Sequence, residues 1–307
     1  MVNDVFDVVI IGGGPAGLSA ALILGRCGRH VLVCDDGHYR NAYSHSMHGF
    51  LTRDGIDPAE LRRIAREQLQ PYETVQIKEV KIIDASIHKQ GFKVITKDNQ
   101  QFVSIKLLLA TGLQDEWPTM PGAKELYGRS IFHCPYCDAW EVRNQPLAVY
   151  GRGDKNGGKL AIELTLWSKD LVLCTDGPSE LSNNYREQLA RHSIPIREEP
   201  IKQLEGKEGI LQRIIFEKGE PLERRAMFFN TALYQRSDLP ARLGCEFDEN
   251  CGVKVGKFET TNVPGLFVAG DASRDVFQAI VAASEGVEAA IAINTSLLNR
   301  DLEVSKN

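Results

Sequence analysis

An α/β protein with two Rossmann-like nucleotide-binding folds is what three features of the 307-residue sequence predict. A strand, a glycine-rich turn, a helix and a second strand follow one another at residues 7–37. An imperfect copy of that order begins near residue 146. A late apolar strand at residues 263–273 delivers a glycine and an aspartate to its carboxyl edge. Strands that alternate with helices in this way build parallel sheets, and such sheets bind ligands outside the carboxyl ends of their strands.

The first unit reads DVVIIGGGPAGLSAALILGRCGRHVLVCDDG. Val8–Ile11 is an apolar run of strand length, and Gly12, Gly14 and Gly17 place a G-x-G-x-x-G turn directly behind it. The first glycine permits the tight turn, the second lets backbone approach a pyrophosphate, and the third lets helix pack on strand. The helix carries Leu18, Ala21, Leu22 and Leu24 at apolar positions and aims its positive end at the phosphates. A second strand, Val31–Cys34, runs into Asp35, eighteen residues past Gly17, where an acid is placed for ribose hydroxyls. The glycine motif alone is a weak signal; the strand, helix, second strand and acid around it make dinucleotide binding the reading.

Next, VQIKEVKIIDAS and FKVITKD alternate as paired strands. LLLATG at 107–112 is a buried strand entering a glycine turn that contains Thr111 and Gly112. QDEWPTMPG, with two prolines, reads as a hinge or linker. In the second unit, Leu147–Tyr150 is a strand, Gly151 and Gly153 follow, a helix runs through Trp167, and Leu171–Cys174 is the next strand. Asn156 stands where a third glycine belongs, with Gly157 and Gly158 behind it. Asp176 ends the second strand, where an acid suits a 2′-hydroxyl and repels a 2′-phosphate, so NADPH is disfavoured and NADH stays open. The strand in VPGLFVAGDAS presents Gly270 and Asp271, and the helix after it, Ala279–Leu298, packs under the same nucleotide. NRDLEVSKN is a polar, frayed tail.

A mass of 34.1 kDa leaves room for two sizeable cores. Net charge is −5 with a pI near 5.9, so there is no basic footprint for nucleic acid. The longest apolar runs are too short to span a bilayer, and no membrane partner is expected. Asp4 and Asp7 stand where a signal peptide carries basic residues, so the start reads as a first strand and the expected location is cytoplasmic. The seven cysteines are too few and too scattered for a secreted disulfide scaffold. Only Cys134 and Cys137, in HCPYCDAW, are close. A structural zinc site needs a second such pair or a histidine pair, and none follows, so no metal is expected. His133 reads as a solvated loop residue.

Over essentially its full length the chain resembles the low-molecular-weight thioredoxin reductase family. GGGPAG at 12–17, ATG at 110–112, CPYCD at 134–138, GRGD at 151–154, and VPGLFVAGDA at 263–272 followed by QA at 278–279 carry the likeness, in that order. The resemblance implies an FAD-binding domain built from both chain ends, residues 1–115 and 243–307. It implies an inserted NAD(P)-binding-like domain, residues 118–240, that carries the CxxC pair, both domains having the three-layer ββα form. RNAYSHSMHGFLTRDG at 40–55 looks more like the branch that contains gliotoxin-type dithiol oxidases. NADPH-dependent members carry a GGQ-type segment and then an Asn before the next glycine turn, where the aligned position here is His48, and an HRR-type 2′-phosphate pocket where Thr175, Asp176 and Gly177 stand.

A CxxC pair in such a chain is a redox pair. Pro135 suits the first turn of a short helix begun by Cys134. By resemblance, Cys137 faces the flavin, Cys134 meets the substrate, and Asp138 moves the proton, with His133 a second candidate base. Gly12, Gly14, Pro15, Ala16, Gly17 and Asp35 hold the ADP part of FAD. Asp271, beside Gly270, holds the ribityl or pyrophosphate segment, and Gln278 and Ala279 meet the pyrimidine edge. His48, Thr111 and Gly112 are further cofactor contacts, and Trp140 and Phe277 are candidates for the flavin face. The expected function is an FAD-dependent thiol–disulfide oxidoreductase, acting on a small dithiol or a thioredoxin-like protein, as a homodimer by resemblance. The alternatives are a flavin-bearing redox sensor without turnover, or a thioredoxin reductase driven by NADH or ferredoxin.

Overall fold

The computed structural model describes residues 5–230 and 232–305. β1 (Val5–Ile11), α1 (Pro15–Arg26) and β2 (Val31–Asp35) form the expected unit, with β1 and β2 parallel and Val8 opposite Val31. α2 (Pro58–Leu69) starts where Asp57 Oδ1 accepts from the Ala59 and Glu60 N–H groups, at 2.7 and 3.2 Å, with Pro58 at the first helical position. β3 (Val75–Glu79) extends the parallel sheet past β2, whereas β4 (Ile82–His88) and β5 (Gly91–Thr96) form an antiparallel hairpin. VQIKEVKIIDAS is therefore two strands, broken at Val80 and Lys81, and only its second half pairs with FKVITKD.

β6 (Gln101–Leu109) joins two kinds of sheet. Its first half pairs antiparallel with β5, and its last residues run parallel between β1 and β17 (Leu266–Val268), which arrives much later in the chain. The parallel strands are buried on both faces, as continuous apolar runs require. Val8, Ile10, Val31, Val33 and Leu108 face the helices, while Val9, Ile11, Leu32, Leu107 and Leu109 face the hairpin layer with Phe92 and Val94.

β7 (Leu113–Asp115) leads out of this sheet to α3 (Ala123–Leu126), β8 (Ile131–Phe132), α4 (Pro135–Asp138), β9 (Leu147–Tyr150), α5 (Lys159–Leu164) and β10 (Leu171–Cys174). α6 (Asn183–Arg191) and β11 (Ile196–Arg197) follow, then an antiparallel layer of β12 (Ile201–Lys207), β13 (Ile210–Phe216) and β14 (Leu222–Glu223), and finally β15 (Ala226–Phe229). The second sheet is parallel in the order β11-β10-β9-β15-β8. β16 (Leu233–Gln235) then returns antiparallel beside β7, with Leu233 opposite Asp115 and Gln235 opposite Leu113. The two crossings between the sheets are thus one ribbon, and the second fold is inserted into the first. α7 (Leu239–Arg242) places Leu239 in the first core, and the chain ends in α8 (Ala279–Val304), which packs along α1. The polar tail is helical as far as Val304 rather than frayed, with Arg29 reaching both Asn294 and Asp301 at 2.8 Å, and its last two residues lie outside the described ones.

Candidate active site

The turn after β1 has the geometry its glycines allow. Gly12 has φ +115°, and a Cβ there would overlap the Ala110 carbonyl. A Cβ on Gly17 would overlap the Gly12 carbonyl, so α1 seats directly on the strand end. Gly14, by contrast, has no neighbour within 4 Å of where its Cβ would be, and it opens α1 with no side-chain cap. The first turn of α1 therefore faces a cavity with unpaired backbone donors. Pro15, Ala16, Thr111, Gly112, Gly270, Asp271 and Ala279 line the same cavity, whereas Gly17 lies beneath its floor. α8 also starts at this cavity, from Gln278, again with no side-chain cap. Two helix N-termini converge there, which favours negative charge on a ligand.

Three acids on this side are matched by arginines. Asp35, 3% exposed, accepts from Tyr39 Oη and Arg66 Nη2, and from the Gly37 N–H at 3.3 Å. Arg40 binds Asp115 through two bonds of 2.6 and 2.8 Å, reaches Asp271 at 3.0 Å, and stacks on the Phe277 ring at 4.6 Å. Burial opposes ionisation of Asp115, but the hydrogen bonds and charge of Arg40 hold its carboxyl below the usual range. Burial pushes Asp271 up, with Arg40 working against the rise. Thr111 Oγ1 is buried and without a hydrogen-bond partner. An unpaired buried hydroxyl costs about 1–3 kcal/mol, so a polar group of a ligand would complete it.

Cys134 and Cys137 form a disulfide in the same cavity, with Cα atoms 5.3 Å apart. Cys134 is extended at the start of α4 and Pro135 takes the first helical position, as the sequence predicts. Gln278 Nε2, from the start of α8, lies 3.4 Å from Cys137 Sγ and 3.8 Å from Cys134 Sγ. Asp138 follows the pair; burial and then the charge of Glu141 push its carboxyl up to about 7. His133 is not a solvated loop residue. Its Nδ1 is 3.0 Å from Tyr127 Oη, it stacks on that ring, and burial lowers its basicity. His48 lines the cavity but bonds Ser46 Oγ at 3.2 Å and lies 3.5 Å from Asp54 and from Glu141. Phe277 lines the cavity; Trp140 does not, being 62% exposed and stacked with Arg143. Among the described residues no cluster has the makings of a metal site.

The second nucleotide-type fold differs at its glycine turn. Gly157, one residue later than the motif requires, packs against Gly151 as Gly17 does against Gly12. The extra residue is absorbed by a π-helical turn at Asp154–Gly158 before α5 begins. Arg152 lies across the strand ends, donating from Nε to the Thr175 carbonyl at 2.7 Å and from Nη2 to the Asp176 carbonyl. Asp176 does not face a ribose site: its Oδ1 accepts from the Ile201 N–H at 2.7 Å.

Sequence reasoning assigned no role to Arg40, Asp115, Tyr39, Arg66 or Glu141. Arg40 and Tyr39 lie in a polar loop, and only the density of polar residues there could have drawn notice. Their partners are up to 231 positions away.

The model of the pyridine nucleotide-disulphide oxidoreductase family matches residues 6–286. Thioredoxin reductase aclD of Aspergillus oryzae is 30% identical over 97% of this chain and 98% of its own length. Thioredoxin reductase tcpT of Claviceps purpurea is 34% identical over 88% of this chain and 87% of its own. Among solved structures, thioredoxin reductase TrxB from Bacillus anthracis superposes with a TM-score of 0.91 at 35% identity, covering 96% of this chain and 99% of that one. HlmI superposes at 0.92 with 32% identity, covering 98% and 95%.

Proposed function

The chain belongs to the pyridine nucleotide-disulphide oxidoreductase family, and on that premise we propose an FAD-dependent thiol–disulfide oxidoreductase that does not draw electrons from NADPH. It is thioredoxin reductase-like, and its substrate is a small dithiol or disulfide or a thioredoxin-like protein. The observation that carries the reading is the contact of Gln278 with both sulfurs, which opens the disulfide onto the cavity of the first glycine turn.

The residues present fit the flavin cofactor. Gly14 leaves room for a pyrophosphate, the N-termini of α1 and α8 offer donors, and Thr111 Oγ1 needs a partner. Bound there, FAD supplies two-electron chemistry. Gly12, Gly14, Pro15, Ala16 and Asp35 hold its ADP part, with Gly17 seating the helix. Asp271, Gln278 and Ala279, with Thr111 and Gly112, hold the rest. Cys137, nearer Gln278, is the inner sulfur and Cys134 the outer one. In dithiol oxidation a substrate thiolate attacks Cys134 Sγ, the Cys134–Cys137 bond breaks, and Cys137 leaves as thiolate. The second substrate thiolate closes the substrate disulfide and releases Cys134. Asp138, titrating near neutrality, takes up and returns the protons.

Arg152, bonded to the Thr175 and Asp176 carbonyls at the strand ends, and the π-helical turn beside it support the exclusion of NADPH, since both depart from a regular nucleotide-binding turn. Ile280, Ile291, Leu298 and Leu302 form an exposed apolar stripe on α8, which supports a homodimer. Among the described residues no helix is long and apolar enough to cross a membrane.

The test is anaerobic mixing of the flavin-loaded protein with dithiothreitol, NADH and NADPH while the visible flavin band is followed. Dithiothreitol is expected to bleach it and air to restore it; rapid bleaching by NADPH would overturn the donor assignment. Cys137→Ser should keep its flavin and lose bleaching by the dithiol.

A further inference from the structure

Asp138 is the proton carrier in the reading above, and no cation is paired with it among the described residues. What surrounds it is unusual in origin. Glu141, three residues on, raises it as a like charge, second only to burial. Glu141 Oε1 in turn lies 3.5 Å from His48 Nε2. His48 comes from the first fold, on the loop between β2 and α2, whereas Asp138 and Glu141 belong to the inserted fold. The opposite ring nitrogen, Nδ1, lies 3.5 Å from Asp54 Oδ1, and Asp54 is anchored by the Gly49 N–H at 2.8 Å. The imidazole is thus held between two carboxylates from different folds, with Ser46 Oγ also at 3.2 Å. The other titratable group facing Asp138 is Tyr127, from the segment after α3. Among the described residues, the charged groups that His48 itself meets are Asp54 and Glu141.

We propose that His48 is a positioning residue of the redox site, which draws the Glu141 carboxylate across the junction of the two folds and so sets the proton affinity of Asp138. With His48 in place, the Glu141 carboxylate is held on the imidazole side, 3.5 Å from Nε2. Without it, Glu141 is free to turn toward Asp138. Removing Glu141 removes the like charge altogether. The two substitutions therefore act in opposite directions, which a general loosening of the site cannot do.

The experiment uses the full chain labelled with carboxyl-¹³C aspartate, the Asp138 resonance being the one missing from Asp138→Asn. Its titration midpoint is read with no substrate present. Glu141→Gln is expected to lower the midpoint by about half a pH unit or more, and His48→Gln to raise it by a similar amount. His48→Gln/Glu141→Gln should match Glu141→Gln alone, because His48 acts only through Glu141. Shifts of the same sign, an additive double variant, or an unmoved midpoint would each overturn the proposal. Dithiothreitol bleaching of the same proteins keeps the two readings apart. Bleaching without the opposed shifts sinks the role of His48 and leaves the redox reading standing. Opposed shifts in a protein that never bleaches sink the redox reading itself.

Discussion

The two glycine turns of this protein began from one pattern and differ by a single residue. After β1 the third glycine arrives on time, α1 starts as a regular helix, and its N-terminus opens on empty space at Gly14. After β9 the third glycine is one position late, a π-helical turn takes up the slack, and Arg152 covers the strand ends. Their acids diverge as well: Asp35 sits at the cavity wall with Tyr39 and Arg66, whereas Asp176 has become a backbone acceptor for Ile201. The second turn thus keeps the sheet and the close glycine contact of the first while Arg152 and Asp176 bond backbone groups at its strand ends.

The largest contrast should come from the turns. Gly12→Ala places a Cβ against the Ala110 carbonyl at φ +115° and should cost about 3 kcal/mol or more, with purified protein colourless. Full flavin content in that variant, by visible absorbance, would break the assignment of the first turn. Next come the acids. Asp35→Ala removes the buried acceptor that Arg66 and Tyr39 share, leaving Arg66 paired with Glu79, and should lower unfolding free energy by about 1–3 kcal/mol in denaturant titrations, whereas Asp176→Asn should cost no more than about 0.5 kcal/mol. Equal losses would show that the two acids have not diverged.

Asp138, buried and raised by a like charge, adds a pH signature opposite in sign to that of Asp115, whose carboxyl Arg40 holds low. The folded state holds the Asp138 proton up to about 7, while an unfolded aspartate releases it near 4. Stability therefore falls as pH rises through that window. Glu285, pushed to about 7 mainly by burial, acts with the same sign, so the comparison must be variant against parent. Asp138→Asn should gain about 1–3 kcal/mol relative to the parent between pH 5 and pH 8, read by thermal or denaturant unfolding. A constant difference across that range would contradict the assignment. The smallest effect expected is at the covered edge. Arg152→Ala uncovers it and should speed bleaching by NADH about tenfold, worth about 1.4 kcal/mol. Unchanged bleaching would locate the barrier in the π-helical turn instead.

Local features of the fold were legible in the sequence, and features that needed distant partners were not. The first glycine turn, the CxxC at a short helix start and the late strand with Gly270 and Asp271 are contiguous patterns, and each appears as expected. The break at Val80 and Lys81 was hidden because alternation continues through it, although the two halves join different neighbours. The helical tail was hidden because Arg29, 272 positions before Asp301, holds it. Arg40 escaped notice for the same reason, its partners coming from β7 and from the loop before α8. Displacement of the third glycine in the second unit was visible, but only backbone geometry shows that it becomes a π-helical turn.

The ribbon formed by β7 and β16 also bears on how such a chain can be assembled and rebuilt. Its strands bring the departure and return of the inserted segment within one strand spacing, about 5 Å. A tight hairpin could join Asp115 to Leu233, which keeps the Arg40–Asp115 pair and gives up the cavity wall that Tyr127, His133 and the disulfide supply. The sulfurs travel with the removable piece, and the glycine turn stays behind. Exchanging the segment between Asp115 and Leu233 is accordingly a route to new partners for the sulfurs that leaves the first glycine turn in place.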